Sequence, residues 1–153
     1  MQANLPAVNW SVAPLRDLIR HIVLEYHDCF RLELPQLERR LPEVPSARET
    51  LLTLRQTLDA TLAQEEEELF PAIRKCAEAA DAGVELPHSY ARAVRNLILL
   101  VTRNNYRLAA LVNEILEPRF GTPEPLKLFA LEVSDHVHLE NEILFPRALK
   151  LLE

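Results

Sequence analysis

Glu65-Glu66-Glu67-Glu68-Leu69-Phe70-Pro71 and Glu140-Asn141-Glu142-Ile143-Leu144-Phe145-Pro146 stand seventy-five residues apart and are nearly the same stretch twice. Each puts one carboxylate, Glu65 or Glu140, in a heptad slot where an apolar residue would otherwise sit. Each also ends on Leu-Phe-Pro. One helical turn before Glu140 stands His136; the matching place before Glu65 holds Thr61. A lone buried carboxylate is costly, so it must be neutralised, paired or metal-bound. Repeated acids that point into an apolar core therefore suggest a metal site, and Thr61 makes the two copies chemically unequal.

Around these stretches, proline and glycine divide the chain. Pro42-Glu43-Val44-Pro45, then Asp81-Ala82-Gly83 with Pro87, then Pro118 with Gly121, Pro123 and Pro125 leave four segments, about 12–41, 46–80, 87–117 and 123–152. All four are rich in leucine and free of glycine, and few runs alternate as strands do. The expected fold is all-α, a single domain over 1–153 in which four amphipathic helices form an up-down-up-down bundle. Pro35, Pro71 and Pro146 fall inside segments, where each should kink or restart its helix. The shared Leu-Phe-Pro makes the second and fourth helices counterparts.

Spacing at about 100° per residue sorts the faces. On the second helix Leu51, Leu54, Leu58, Leu62, Leu69 and Ile73 form the apolar arc, with Glu65 near its middle and Thr61 on its flank. On the fourth the arc is Leu126, Phe129, Val133, Val137, Leu144, Ala148 and Leu151; Glu140 sits within it and His136 beside it. The third helix brings Asn105 to the centre of its arc. The first runs Ile19, Ile22, Val23, Tyr26, Phe30, Leu37 and Leu41, with His27 beside Tyr26. Arg20, Arg31 and Arg107 read as outward or boundary positions, so no cation on an inner arc compensates the two acids. A metal ion held by carboxylates and imidazoles is the economical solution. The bland alternatives are an ordinary hydrogen-bonded His27, a solvated acidic face at Glu65–Glu68, and an Asn105 that sets helix register. His21, His88 and His138 read as surface residues.

Composition narrows the function classes. Net charge is −6 and no basic patch stands out, which argues against nucleic acid. No apolar run approaches the ~20 residues of a membrane span, and Met1–Trp10 lacks the basic start and apolar core of a signal peptide, so a cytoplasmic protein is expected. Cys29 and Cys76 form no CxxC pair and read as buried thiols. Neither a nucleophile elbow nor a phosphate loop is present.

The stretch from His136 to Pro146 resembles the fourth-helix motif of the hemerythrin-like (HHE cation-binding) family, and is most similar to its repair-of-iron-centres branch. His21-Ile22-Val23-Leu24-Glu25-Tyr26-His27, with Arg31-Leu32-Glu33-Leu34-Pro35-Gln36-Leu37, looks like that branch's first helix, and Glu65–Pro71 like its second. The resemblance spans nearly the whole chain. It implies a four-helix bundle with a non-haem di-iron centre, acting on iron–sulfur clusters under nitric oxide and oxidative stress. Carried over by position, His27 and His136 match imidazole ligands, and Glu65 and Glu140 match the bridging carboxylates. Thr61 and Asn105 stand where the family places two further histidines. Three occupancies follow: a loosely held di-metal site, one metal on His27, Glu65, His136 and Glu140, or none.

The leading expectation is thus an iron-binding protein of the stress response that takes a small ligand such as NO or O2 rather than turning over an organic substrate. The alternative is a metal-free bundle acting as a structural or regulatory partner, with the acids held by hydrogen bonds. A weaker one is a gas-sensing module of a larger system. The sequence does not fix the oligomeric state, although exposed leucines such as Leu24 and Leu100 would allow a homodimer.

Overall fold

The structure is a computed structural model that describes residues 6–39 and 45–153. Among these residues the chain builds four long helices. Helix α1 (15–38) runs through Leu15–Ile22, Val23–His27 and Asp28–Glu38; α2 (45–81) through Pro45–Gln64, Glu65–Leu69 and Phe70–Asp81. Helix α3 is His88–Ile115 without interruption, and α4 (124–150) runs through Glu124–Leu139, Glu140–Leu144 and Phe145–Lys150. Each helix packs beside the next and α4 packs back against α1, which closes the expected bundle. No described helix is long and apolar enough to cross a membrane.

Proline and glycine set the ends, as the sequence suggests. Pro14, Pro87 and Pro123 sit just before α1, α3 and α4 with extended backbone, so the prolines precede these helices rather than begin them. The first segment starts at Leu15, not at position 12, and stops at Glu38; Leu41 lies outside the described residues. Helix α2 ends on Gly83 at φ +66°, where Val84 N–H donates to Ala79 O and Gly83 N–H to Ala80 O. That pair of bonds is a Schellman closure, and glycine takes its left-handed residue without a Cβ clash.

The interior prolines do not break their helices. Pro35 lies within the continuous Asp28–Glu38 stretch. Pro71 and Pro146 each follow a π turn, Glu65–Leu69 or Glu140–Leu144, in which Phe70 N–H donates to Glu65 O and Phe145 N–H to Glu140 O. A wider turn just before each proline absorbs the missing donor and the bulk of its ring. A third π turn, Val23–His27, closes with Asp28 N–H on Val23 O. The repeat thus extends to α1, where the sequence shows no Leu-Phe-Pro.

The π turns also correct the predicted faces. Straight α periodicity puts Tyr26 inward and His27 on the flank; with the added residue His27 is fully buried and Tyr26 half-buried. Beyond the α4 π turn it is Leu152 rather than Leu151 that is buried. Cys76 is buried as expected, whereas Cys29 is only half-buried.

Apolar packing forms two clusters. One gathers Ile19, Ile22, Phe70, Ile73, Ile98 and Phe145; the other gathers Phe30, Leu54, Leu58, Leu108, Phe129 and Val133. Between them, fully or almost fully buried, lie His27, Thr61, Glu65, Asn105, His136 and Glu140. Phe30 belongs to one cluster and caps the polar layer as well, with ring centroids 5.4 Å from Phe129 and 5.5 Å from His136. Phe30→Ala should lower stability by about 3–5 kcal/mol, the usual cost of deleting a buried phenyl. Denaturant unfolding measures it; a loss under about 1 kcal/mol would show that the layer is not held by this contact.

Candidate metal centre

Three of the four helices deliver a side chain to one point, and each does so at a π turn. His27 is the last residue of the α1 turn, Glu65 the first of the α2 turn and Glu140 the first of the α4 turn, with His136 one helical turn earlier. Such turns are frequent at functional sites because the extra residue re-aims side chains at little backbone cost. The four predicted residues are thereby brought together: one donor atom from each lies within 4.8 Å of all the others.

The contacts are close. His27 Nε2 stands 3.0 Å from His136 Nε2 and 3.1 Å from Glu65 Oε2. His136 Nε2 lies 2.8 Å from Glu140 Oε1 and 3.9 Å from Glu65 Oε2. His27 Nδ1 donates to Glu66 Oε1 at 2.8 Å, which leaves the Nε2 lone pair facing the cluster. Burial, with the neighbouring His136, drives His27 down to a pKa of about 3, so its ring is neutral. A lone pair and a carboxylate oxygen at 3.1 Å repel each other unless a proton or a cation lies between them.

The acids are equally exposed to that argument. Burial and the adjacent Glu140 raise Glu65 well above the usual carboxylate range. Both oxygens of Glu65 and Oε2 of Glu140 are buried without a hydrogen-bond partner. Among the described residues no Lys or Arg reaches either acid. A divalent cation would cancel the charge of two ionised carboxylates and take lone pairs from the two imidazoles. Donors held by one octahedral ion at ~2.1 Å stand roughly 3.0 Å apart when adjacent and roughly 4.2 Å when opposite. The separations of 2.8, 3.0, 3.1 and 3.9 Å fall in that range. The residues present fit a metal ion.

Two residues at the family's ligand positions behave differently. Thr61 is buried, but its hydroxyl donates to Thr57 O at 2.7 Å within its own helix. Asn105 Nδ2 donates to Asn141 Oδ1 at 3.1 Å and to Glu140 Oε1 at 3.4 Å, so the amide positions a carboxylate instead of offering a lone pair to it. Aromatic rings close the remaining sides. His27 stacks on Phe70 at 5.6 Å, and Tyr26 lies 5.7 Å from His136.

Glu66 and Arg31 escape a reading by helical faces, which puts Glu66 on a solvated acidic run and Arg31 outside. Glu66 Oε1 accepts from both His27 Nδ1 and Arg31 Nη1, each at 2.8 Å. A carboxylate behind a ligand imidazole fixes its tautomer and raises its basicity. The available signal is spacing: Arg31 lies one turn after His27, and Glu66 directly follows Glu65. His21 is half-buried against Trp10 at 4.5 Å, and His138 and His88 are exposed.

Glu65 yields a signed prediction for metal-free protein kept with a chelator. Its folded pKa lies above the unfolded value of 4.5, so its contribution to stability is present below that pH and lost as pH rises. Glu65→Gln removes the loss. At pH 7 the chelated variant should be more stable than the chelated parent by about 1–3 kcal/mol, with the gap closing towards pH 4. Equal stability at both pH values in denaturant melts would contradict the burial of an uncompensated acid.

Comparison with known proteins agrees with the geometry. The iron-sulfur cluster repair protein YtfE of Salmonella schwarzengrund (strain CVM19633) is 31% identical over 156 aligned residues, covering 92% of this chain and 69% of that protein. Its namesake in Salmonella typhimurium (strain LT2) matches with the same identity and coverage. The hemerythrin HHE cation-binding domain matches residues 18–148, which include all four converging ligand candidates. With the fold, the buried His and Glu cluster and this match in hand, the chain belongs to the hemerythrin HHE cation-binding family.

Proposed function

We propose that this chain binds one non-haem iron ion through His27, Glu65, His136 and Glu140, and serves iron–sulfur cluster repair under nitric oxide or oxidative stress in the cytoplasm. The observation that carries the metal is the convergence of four buried donor atoms with no compensating cation among the described residues. The repair role rests on the similarity to the YtfE proteins. Bound iron would supply redox chemistry and affinity for a small diatomic such as NO or O2.

The protein's own part is positional. Glu66, anchored by Arg31, keeps the His27 proton on Nδ1 so that Nε2 is free to ligate. The Asn105 amide steers Glu140 from the side. Phe30, Phe70 and Tyr26 exclude water, which strengthens every charge interaction inside the layer. One ion is preferred to two because Thr61 closes on its own helix and Asn105 turns a donor, not an acceptor, towards Glu140.

Anaerobic reconstitution with ferrous iron followed by metal analysis tests this reading. About one iron per chain is expected, with melting raised by the bound ion as mass action requires. His136→Ala with Glu140→Ala should hold none, and Thr61→His with Asn105→His should move the count towards two. Equal, substoichiometric metal in the parent and in the His136→Ala, Glu140→Ala variant would leave a metal-free bundle as the better description.

A further inference from the structure

Charge is segregated on the outer surface. The chain has 23 acidic residues, yet from His88 to Asn113 it has none. Helix α3 is that stretch almost entirely, and its only charged side chains before Glu114, apart from histidine, are Arg92, Arg95, Arg103 and Arg107. Arg92, Leu99, Arg103 and Tyr106 follow at spacings of seven, four and three, which is one helical face, and Leu100 and Arg107 flank it. All six are exposed, Leu99 by 58% and Tyr106 by 66%. Among the described residues Arg92, Arg103 and Arg107 meet no carboxylate.

The opposite charge gathers between α1 and α4. A groove of about 250 Å³ there has Leu37, Leu128 and Phe129 as its apolar lining and Glu33 and Glu132 at its polar side. Leu128 and Leu131 stand about half exposed beside it. No Lys or Arg pairs with either acid among the described residues, and burial together with Glu33 pushes Glu132 up, so Glu132 gains from an incoming cation.

We propose that the Arg103 and Tyr106 face of α3 docks into the α1–α4 groove of a second copy of this chain. The occupant is identified by complementarity on both counts. Unpaired guanidiniums, which match carboxylates bidentately, meet unpaired carboxylates, and exposed Leu and Tyr side chains meet an apolar groove. Tyr and Arg beside leucines form the kind of patch from which interfaces draw their binding energy. Helices α1 and α3 occupy diagonal corners of the bundle, each packing mainly against α2 and α4. The contact therefore joins unlike surfaces and is heterologous. Its charges sit at the rim, so salt weakens it. The metal layer takes no part, and the inference stands whether or not iron is bound.

Sedimentation velocity of the full chain, from micromolar to millimolar protein, tests the contact. At about 0.05 M salt the weight-average mass should rise with concentration to that of a dimer or beyond, and at about 1 M salt it should fall back to the monomer. Arg103→Glu with Arg107→Glu should be monomeric throughout, and so should Glu33→Lys with Glu132→Lys. Mixed together, these two variants should associate, because each keeps the face that the other's intact face needs. Far-UV circular dichroism checks that each variant keeps the helix content of the parent. A parent that stays monomeric at low salt overturns the proposal. So does a parent-like mass in either folded variant alone, or a mixture of folded variants that fails to associate.

Discussion

Everything in this bundle is arranged around a polar layer that is buried from bulk solvent. Six side chains, from His27 to Glu140, lie between two apolar clusters, and two of them are acids without a cationic partner among the described residues. Removing those acids would merge the clusters into one ordinary core. Their retention means that the layer is stable only with something added to it, a proton or an ion. The aromatic rings around it, Phe30, Phe70 and Tyr26, pack on the two histidines and make the demand stricter by keeping the layer apolar on those sides.

Much of this is legible in the sequence, and for identifiable reasons. Proline and glycine clusters mark helix ends directly, so the four-helix architecture follows from punctuation and apolar spacing. Glu65 and Glu140 are visible because a carboxylate on an apolar arc is a local anomaly. The histidines are harder. His27 and His136 fall on the flanks under a uniform 100° step, and only the resemblance to a family brings them inward before the structure does. Glu66 is hidden for a different reason: its role depends on a contact with α1, thirty-nine residues away, and nothing in a run of four glutamates distinguishes the one that meets it.

Thr61 and Asn105 show how differently two departures from a ligand pattern can settle. Threonine satisfies its hydroxyl within its own helix and becomes inert packing. Asparagine keeps a part in the layer by donating to Glu140 and Asn141, so it trades ligation for orientation. The helix that carries Asn105 is also the one without a π turn and without an acid along most of its length. Its inner face contributes least to the cluster, while its outer face carries arginines and no acid from His88 to Asn113.

The three π turns have a further consequence, for how the two halves of each helix are phased. A π turn is the footprint of one extra residue in a helix that stayed folded, and here the footprint falls three times at ligand positions. Each turn rotates the downstream half of its helix by about a quarter of a revolution relative to an unbroken α-helix. The apolar arcs before and after it therefore keep separate phases. Two segments that read as one amphipathic helix behave as two, offset by a single residue between them.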